Sequence, residues 1–171
     1  MIAMKREQFL CGRAAGRRSI ICRLALAATV VLFAACGGDA AGTASSAEPW
    51  GSNTVAPADF VKEIAASNAS KPVIVCTAPA FLYRTGHVPG AVLHGPASSP
   101  EGLNSLTAWA QTLPRDTNLV IYCGCCPLEV CPNLKPAYAA LKGLGFTKLR
   151  VLILPDSFRA DWVERGYPVE K

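Results

Sequence analysis

From residue 57 to the end of the chain, runs of apolar residues alternate with segments in which apolar residues recur at helical spacing. The continuous apolar runs predict strands that are buried on both faces, at 72–77, 91–94, 118–123 and 149–154. The segments with helical spacing predict helices at 57–66, 99–113, 134–144 and 156–165. Strands alternating with helices indicate an α/β fold, a single domain over 57–171 with a central, mostly parallel sheet flanked by helices on both faces.

The N-terminal region has a different pattern. A basic stretch is followed by twelve uncharged residues, 24–35, which are fewer than the roughly 20 that a membrane-spanning helix needs but fit the apolar part of a signal peptide. The stretch ends at Phe33-Ala-Ala-Cys36, which resembles a bacterial lipobox. We therefore predict a signal peptide at 1–35, a lipid-modified Cys36 and a flexible tether at 36–56 that is rich in small residues. An ordinary signal peptide cut near Ala35 is the alternative.

These predictions place the protein outside the cytoplasm, in the cell envelope, as a membrane-anchored lipoprotein facing the periplasm or the exterior. Export by the general or the twin-arginine route stays open. The net charge of +5 belongs to the N-terminal region, because residues 1–35 hold six basic side chains and one acidic side chain. The other 136 residues carry 11 basic and 11 acidic groups. A nucleic-acid partner is not expected, since no basic surplus is left in the domain to neutralise phosphates.

Cysteine is the residue type that stands out in the predicted domain. The chain has eight cysteines, and five of them follow the predicted lipidation site: Cys76, Cys123, Cys125, Cys126 and Cys131. Cys76 and Cys123 each close a predicted buried strand. Ligand sites of parallel sheets lie beyond the carboxyl ends of the strands. The loop Cys123-Gly-Cys-Cys-Pro-Leu-Glu-Val-Cys131 is therefore the predicted working site.

Three motifs, in order along the chain, resemble those of rhodanese-like domains. Gly86-His-Val-Pro-Gly-Ala91 is similar to a signature of these domains, and Val120-Ile-Tyr-Cys123 is similar to the strand that delivers their nucleophile. The segment from Asp161-Trp162 to Gly166-Tyr-Pro-Val169 is similar to the way they end. The resemblance implies sulfurtransferase activity, in which a cysteine takes sulfur from a small donor as a persulfide and passes it to a thiol acceptor. No cofactor is expected.

The residues around Cys123 suit this role. Backbone N–H groups of the loop and the dipole of the following helix favour negative charge, so we expect a lowered pKa for the Cys123 thiol. A thiolate is the nucleophilic form. Gly124, next to the sulfur, and His94, at the end of a short predicted strand, are candidates for substrate binding.

The sequence also departs from the rhodanese pattern. Cys76 and Ala78 stand where these domains usually have an Asp and an Arg. The loop from Cys123 to Asn133 is longer than usual and contains no Lys or Arg. A dianion such as thiosulfate would lose its bidentate guanidinium contact there, which argues against thiosulfate as the donor. The related cysteine phosphatases need an Arg six or seven residues after the nucleophile, so that activity is excluded.

The loop cysteines admit several interpretations. For sulfur transfer, Cys125, Cys126 or Cys131 resolves the persulfide or passes the sulfur on. For a thiol-redox module, Cys123 forms a reversible disulfide, with Cys76 as a possible partner. A third alternative is a soft-metal site in the loop, although we assign no metal from the sequence because adjacent cysteines rarely face one ion. A structural disulfide from Cys125 or Cys126 to Cys131 is compatible with a reactive Cys123.

Overall fold

The computed structural model describes residues 48–66 and 71–171. The predicted signal peptide, Cys36 and most of the predicted tether lie outside the described residues. Within the described part, no helix is both long enough and apolar enough to cross a membrane.

Five parallel strands form one sheet in the order β1-β5-β4-β2-β3. The strands are β1 Thr54–Val55, β2 Val73–Cys76, β3 Val92–Leu93, β4 Leu119–Tyr122 and β5 Leu149–Leu152. The helices are α1 Pro57–Ala65, α2 Ala80–Thr85, α3 Pro100–Ala110 and α4 Leu134–Gly143. A 3-10 turn at Leu128–Val130 and a π-helical turn at Arg159–Val163 complete the fold.

The core forms around β4, the middle strand of the sheet. All four residues of β4 are buried, as expected for a strand whose two faces are both covered. On one side α3 and α4 pack together. Phe60 of α1 meets Trp162 of the π-helical turn with ring centroids 6.3 Å apart, and both side chains are fully buried. The prediction of an α/β domain with a parallel sheet between helices is confirmed.

The folded domain begins earlier than the sequence pattern predicts. Thr54 and Val55, placed in the tether, pair in parallel with Val151 and Leu152 of β5 and form an edge strand. Trp50, also placed in the tether, is only 3% exposed and its ring packs edge-on against Tyr138 at 6.0 Å. For residues 48–56 the tether prediction is therefore wrong, because long-range pairing fixes a segment that has no local pattern.

The last helix is shorter than predicted. Only Arg159–Val163 is helical, with π-type hydrogen bonding, whereas the spacing predicted 156–165. The buried carboxylate of Asp161 accepts the N–H groups of Asp156 and Ser157 at 2.7 and 2.9 Å. These bonds hold residues 156–158 in the irregular path that leads from β5 to the candidate site.

Candidate functional site

Cys123 follows β4 directly, and its loop turns at Gly124. Gly124 has φ +69°, a conformation that side chains with a Cβ rarely adopt, and its carbonyl oxygen accepts the Phe158 N–H at 3.0 Å. A Cβ at this position would lie 2.6 Å from the Phe158 Cβ. The glycine therefore lets the loop pass against the segment after β5 and leaves the Cys123 sulfur facing a cavity.

A cavity of about 660 Å³ lies at the carboxyl ends of β2 and β4. Cys76, Cys123, Gly124 and Cys125 are among the residues that line it, so the structure brings four of the predicted site residues to one place. Much of the rest of its wall is apolar or aromatic: Ala78, Leu82, Tyr83, Tyr122, Phe158, Val163 and Val169. A compound with an apolar body fits this wall better than a small inorganic dianion does.

Three of the loop cysteines form a cluster behind the cavity. The sulfur atoms of Cys123, Cys125 and Cys131 all lie within 4.8 Å of one another. Cys123 and Cys125 are 3.2 Å apart, and Cys125 and Cys131 are 4.0 Å apart. The 3-10 turn at Leu128–Val130 brings the chain back so that Cys131 reaches the other two. We call these three residues the thiol cluster.

N–H groups point at every sulfur of the thiol cluster. The Asn133 side-chain amide donates to Cys123 at 3.4 Å and to Cys125 at 3.5 Å. The Cys125 N–H donates to Cys123, and the N–H groups of Asn133 and Leu134 donate to Cys131. The buried Asn133 side chain is held in turn by the Ser98 N–H, which donates to its Oδ1 at 3.0 Å.

Asn133 does not cap the helix that follows it. It occupies the N-cap position of α4, but its side chain makes no capping hydrogen bond. The side-chain amide donates to the sulfurs of Cys123 and Cys125 instead. No feature of the sequence other than its position two residues after Cys131 pointed to this contact.

Negative charge in the thiol cluster is centred on Cys131. The nearby Cys123 thiol and the backbone N–H groups of Asn133 and Leu134 lower the pKa of Cys131 to about 5. The neighbouring Cys131 sulfur raises the pKa of Cys123, and burial adds to the rise. The predicted lowering of the Cys123 pKa is therefore wrong, because the N–H donors at the start of α4 reach Cys131 first.

The other two cysteines of the domain have different surroundings. Cys126 lies 3.0 Å from Cys125 by their sulfurs, and burial together with its neighbouring thiols raises its pKa to about 12. Cys76 is hydrogen-bonded to the Tyr122 hydroxyl, and burial raises its pKa. All five cysteines in the described residues are free thiols. The predicted structural disulfide and the pairing of Cys76 with Cys123 stay predictions.

The two histidines lie outside the cavity lining. His94, a candidate for substrate binding, stacks on Trp109 with centroids 4.5 Å apart, and its Nδ1 lies 3.2 Å from the Ser105 hydroxyl. Burial lowers the His94 pKa. The His87 ring stacks on the Tyr83 ring with centroids 3.8 Å apart, and its Nδ1 lies 3.0 Å from the backbone carbonyl oxygen of Tyr83. These contacts give the His87 ring a structural role in its turn.

Two cationic side chains at the cavity were not among the predicted site residues. Arg159 and Lys171 line it, although neither belongs to the cysteine loop. The Arg159 side chain is 84% exposed and pairs with Glu164 at 2.9 Å, so it is a solvent-exposed charge at the rim. Only the position of Arg159 beside the terminal Asp161-Trp162 motif could have indicated it.

The fold is similar to that of solved rhodanese-like domains. The solution structure of the rhodanese-like domain of an Anabaena sp. protein is 18% identical over 69% of this chain and 78% of that one, with a TM-score of 0.53. A crystal structure of the same Anabaena protein gives 17% identity over 68% and 81%, also with a TM-score of 0.53. These values establish a rhodanese-like fold for the described domain.

No family model matches the sequence, and no curated protein is significantly similar to it. At identities below 20% the solved structures support the fold and leave the chemistry to be argued from the site.

Proposed function

We propose that this protein transfers sulfane sulfur through a persulfide on Cys123. The observation that carries the proposal is that the Cys123 sulfur follows the central strand and lines a cavity of about 660 Å³. The predicted signal peptide and lipid-modified Cys36 would place this chemistry in the cell envelope, on a lipid anchor.

The reaction needs two displacements at sulfur. In the first, the Cys123 thiol loses its proton to solvent, and the thiolate attacks the terminal sulfur of a thiosulfonate anion. The new sulfur–sulfur bond forms as the one in the donor breaks, the carbon-bound sulfur leaves as a sulfinate anion, and the Cys123 persulfide takes up a proton from solvent. In the second, an acceptor thiolate attacks the outer sulfur of that persulfide, the bond between this sulfur and the Cys123 sulfur breaks, the acceptor leaves as a persulfide anion, and the Cys123 thiol is restored. No electron donor or acceptor is required.

The cavity favours an organic donor. Its apolar wall would bury a hydrocarbon group, at about 0.8 kcal/mol per CH2. The cysteine loop offers N–H groups rather than a guanidinium for the anionic end, and Arg159 stands at the rim. We expect benzenethiosulfonate to react with Cys123 faster than thiosulfate at equal concentration.

Intact-protein mass spectrometry tests the proposal. After exposure to benzenethiosulfonate, the reduced protein should gain the mass of one sulfur atom, the gain should be reversed by dithiothreitol, and peptide mapping should place it on Cys123. Cys123→Ser should take up none. Val130→Ala, in the same loop but with its side chain directed to solvent, should react like the wild type. Full uptake by Cys123→Ser with every sulfane donor tried would refute the assignment.

A further inference from the structure

The thiol cluster contains more cysteine than sulfur transfer uses. Transfer needs one nucleophile at the cavity, and Cys123 supplies it. Cys131 is 5% exposed, does not line the cavity, and still lies with Cys125 and Cys123 in one group of sulfurs. The sulfurs of one partly exposed and two buried cysteines therefore meet at one point, which sulfur transfer by Cys123 alone does not require.

We infer that Cys123, Cys125 and Cys131 bind one soft, thiophilic cation, Cu(I), in a site of three sulfur ligands. The separations fit this geometry. A metal–sulfur bond of about 2.3 Å in a trigonal plane places the sulfurs about 4.0 Å apart. The sulfurs of Cys125 and Cys131 already have that separation, and all three lie within 4.8 Å. The sulfurs of Cys123 and Cys125 are 3.2 Å apart and would move apart when the ion binds between them.

The hydrogen bonds around the sulfurs support a metal site independently of the distances. Thiolates that bind a metal keep negative charge, which N–H donors stabilise from outside the coordination sphere. Here each of the three sulfurs has at least one N–H donor, and the Asn133 amide serves Cys123 and Cys125 together. A persulfide on Cys123 alone would need donors at one sulfur only.

The number and type of ligands select the ion. Soft thiolates favour Cu(I), a filled-shell cation that is stable with three sulfur ligands. A structural Zn(II) site would need a fourth ligand. Binding replaces S–H protons, which pass to solvent, and transfers no electron. The sequence argued against a metal site because Cys125 and Cys126 are adjacent and adjacent cysteines rarely face one ion. The proposed site uses Cys125 without Cys126, so that objection does not apply to it.

Anaerobic titration of the reduced protein with Cu(I), supplied as its acetonitrile complex against the chromophoric chelator bicinchoninate, tests the inference. We expect one Cu(I) per chain and only sulfur ligands in the X-ray absorption spectrum. Cys131→Ser and Cys125→Ser should lose the copper at a chelator concentration at which the wild type keeps it. We expect the apparent affinity of each variant for Cu(I) to be at least tenfold lower than that of the wild type. Cys126→Ser is the matched control in the same loop and should retain it.

Circular dichroism of each variant separates loss of a ligand from loss of the fold, and Asn133→Asp offers a second probe. Its carboxylate would place negative charge beside two sulfurs, so copper affinity should fall while all three ligands are present. The inference is overturned if the folded wild type holds no Cu(I), or if Cys126→Ser loses copper as readily as Cys131→Ser. Persulfide formation is measured in a separate experiment, so the two proposals can fail independently. Uptake of sulfur without copper would overturn the metal site alone. Uptake of copper without sulfur would overturn only the proposed function.

Discussion

Replacing Gly124 by alanine tests how tightly the cysteine loop is fitted to the wall of the cavity. The new Cβ would lie 2.6 Å from the Phe158 Cβ, 2.8 Å from its backbone nitrogen and 3.0 Å from its Cα. Two of these three atoms belong to the backbone, so a side-chain rotation cannot relieve the contact. Either the loop or the 156–158 segment must move.

The expected cost has two parts. Holding alanine at φ +69° costs about 1–2 kcal/mol relative to an ordinary backbone conformation. Forcing an extra carbon into a packed contact costs about 1–3 kcal/mol. Gly124→Ala should therefore lower the free energy of unfolding by about 2–5 kcal/mol.

Urea unfolding measures this change, and Gly166→Ala is the matched control. Gly166 has φ +74°, but a Cβ there would meet no atom within 4 Å. The control should lose only the conformational part, about 1–2 kcal/mol. If both variants are destabilised equally, the contact between the loop and Phe158 does not constrain the site and the reasoning is refuted.

Three further substitutions probe the fold around the site. Arg150 makes two hydrogen bonds to Glu63 and holds the pKa of that carboxyl below its usual value. The pair therefore stabilises the protein fully above the unfolded-state pKa of about 4.3, and the contribution is lost as the pH falls through the lower folded-state pKa. Glu63→Gln should cost about 0.5–1 kcal/mol at pH 7 and flatten the acid limb of a stability–pH curve; an unchanged curve would show that the pair contributes nothing. Asp161→Ala leaves two backbone N–H groups without their acceptor and should cost about 1.5–3 kcal/mol in chemical unfolding, whereas a surface carboxylate would cost almost nothing. Trp50→Ala removes a buried ring from the contact with Tyr138 and should lower the free energy of unfolding by about 3–5 kcal/mol. An unchanged melting temperature would show that Trp50 does not belong to the folded domain.

The central part of the fold could be predicted because strands that are buried on both faces have a recognisable sequence pattern. Strands β2, β4 and β5 are covered on both faces, so their sequences are continuous apolar runs. The edge strand β1 has no such apolar run. It is two residues long, lies among small polar residues and exists because β5 offers it hydrogen bonds, which no local pattern records.

The candidate site was predictable in part. Cys123 and Gly124 follow a buried strand of a parallel sheet, and that position alone places them at its carboxyl edge. The thiol cluster depends on the path of the loop, because the turn at Leu128–Val130 decides which cysteines meet. The sequence left Cys125, Cys126 and Cys131 as equal candidates, whereas in the structure the sulfurs of Cys123, Cys125 and Cys131 all lie within 4.8 Å of one another.

The distribution of charge in the loop follows from the distance to α4. Free N–H groups at a helix start stabilise negative charge only within about one turn. Cys131 lies three residues before Leu134, the first residue of α4, and receives two of these N–H groups, while Cys123 is eleven residues before it. Cys123 instead accepts the Asn133 side-chain amide and the Cys125 N–H. The eleven-residue path from Cys123 to α4 therefore gives the negative charge to a different sulfur from the one at the cavity.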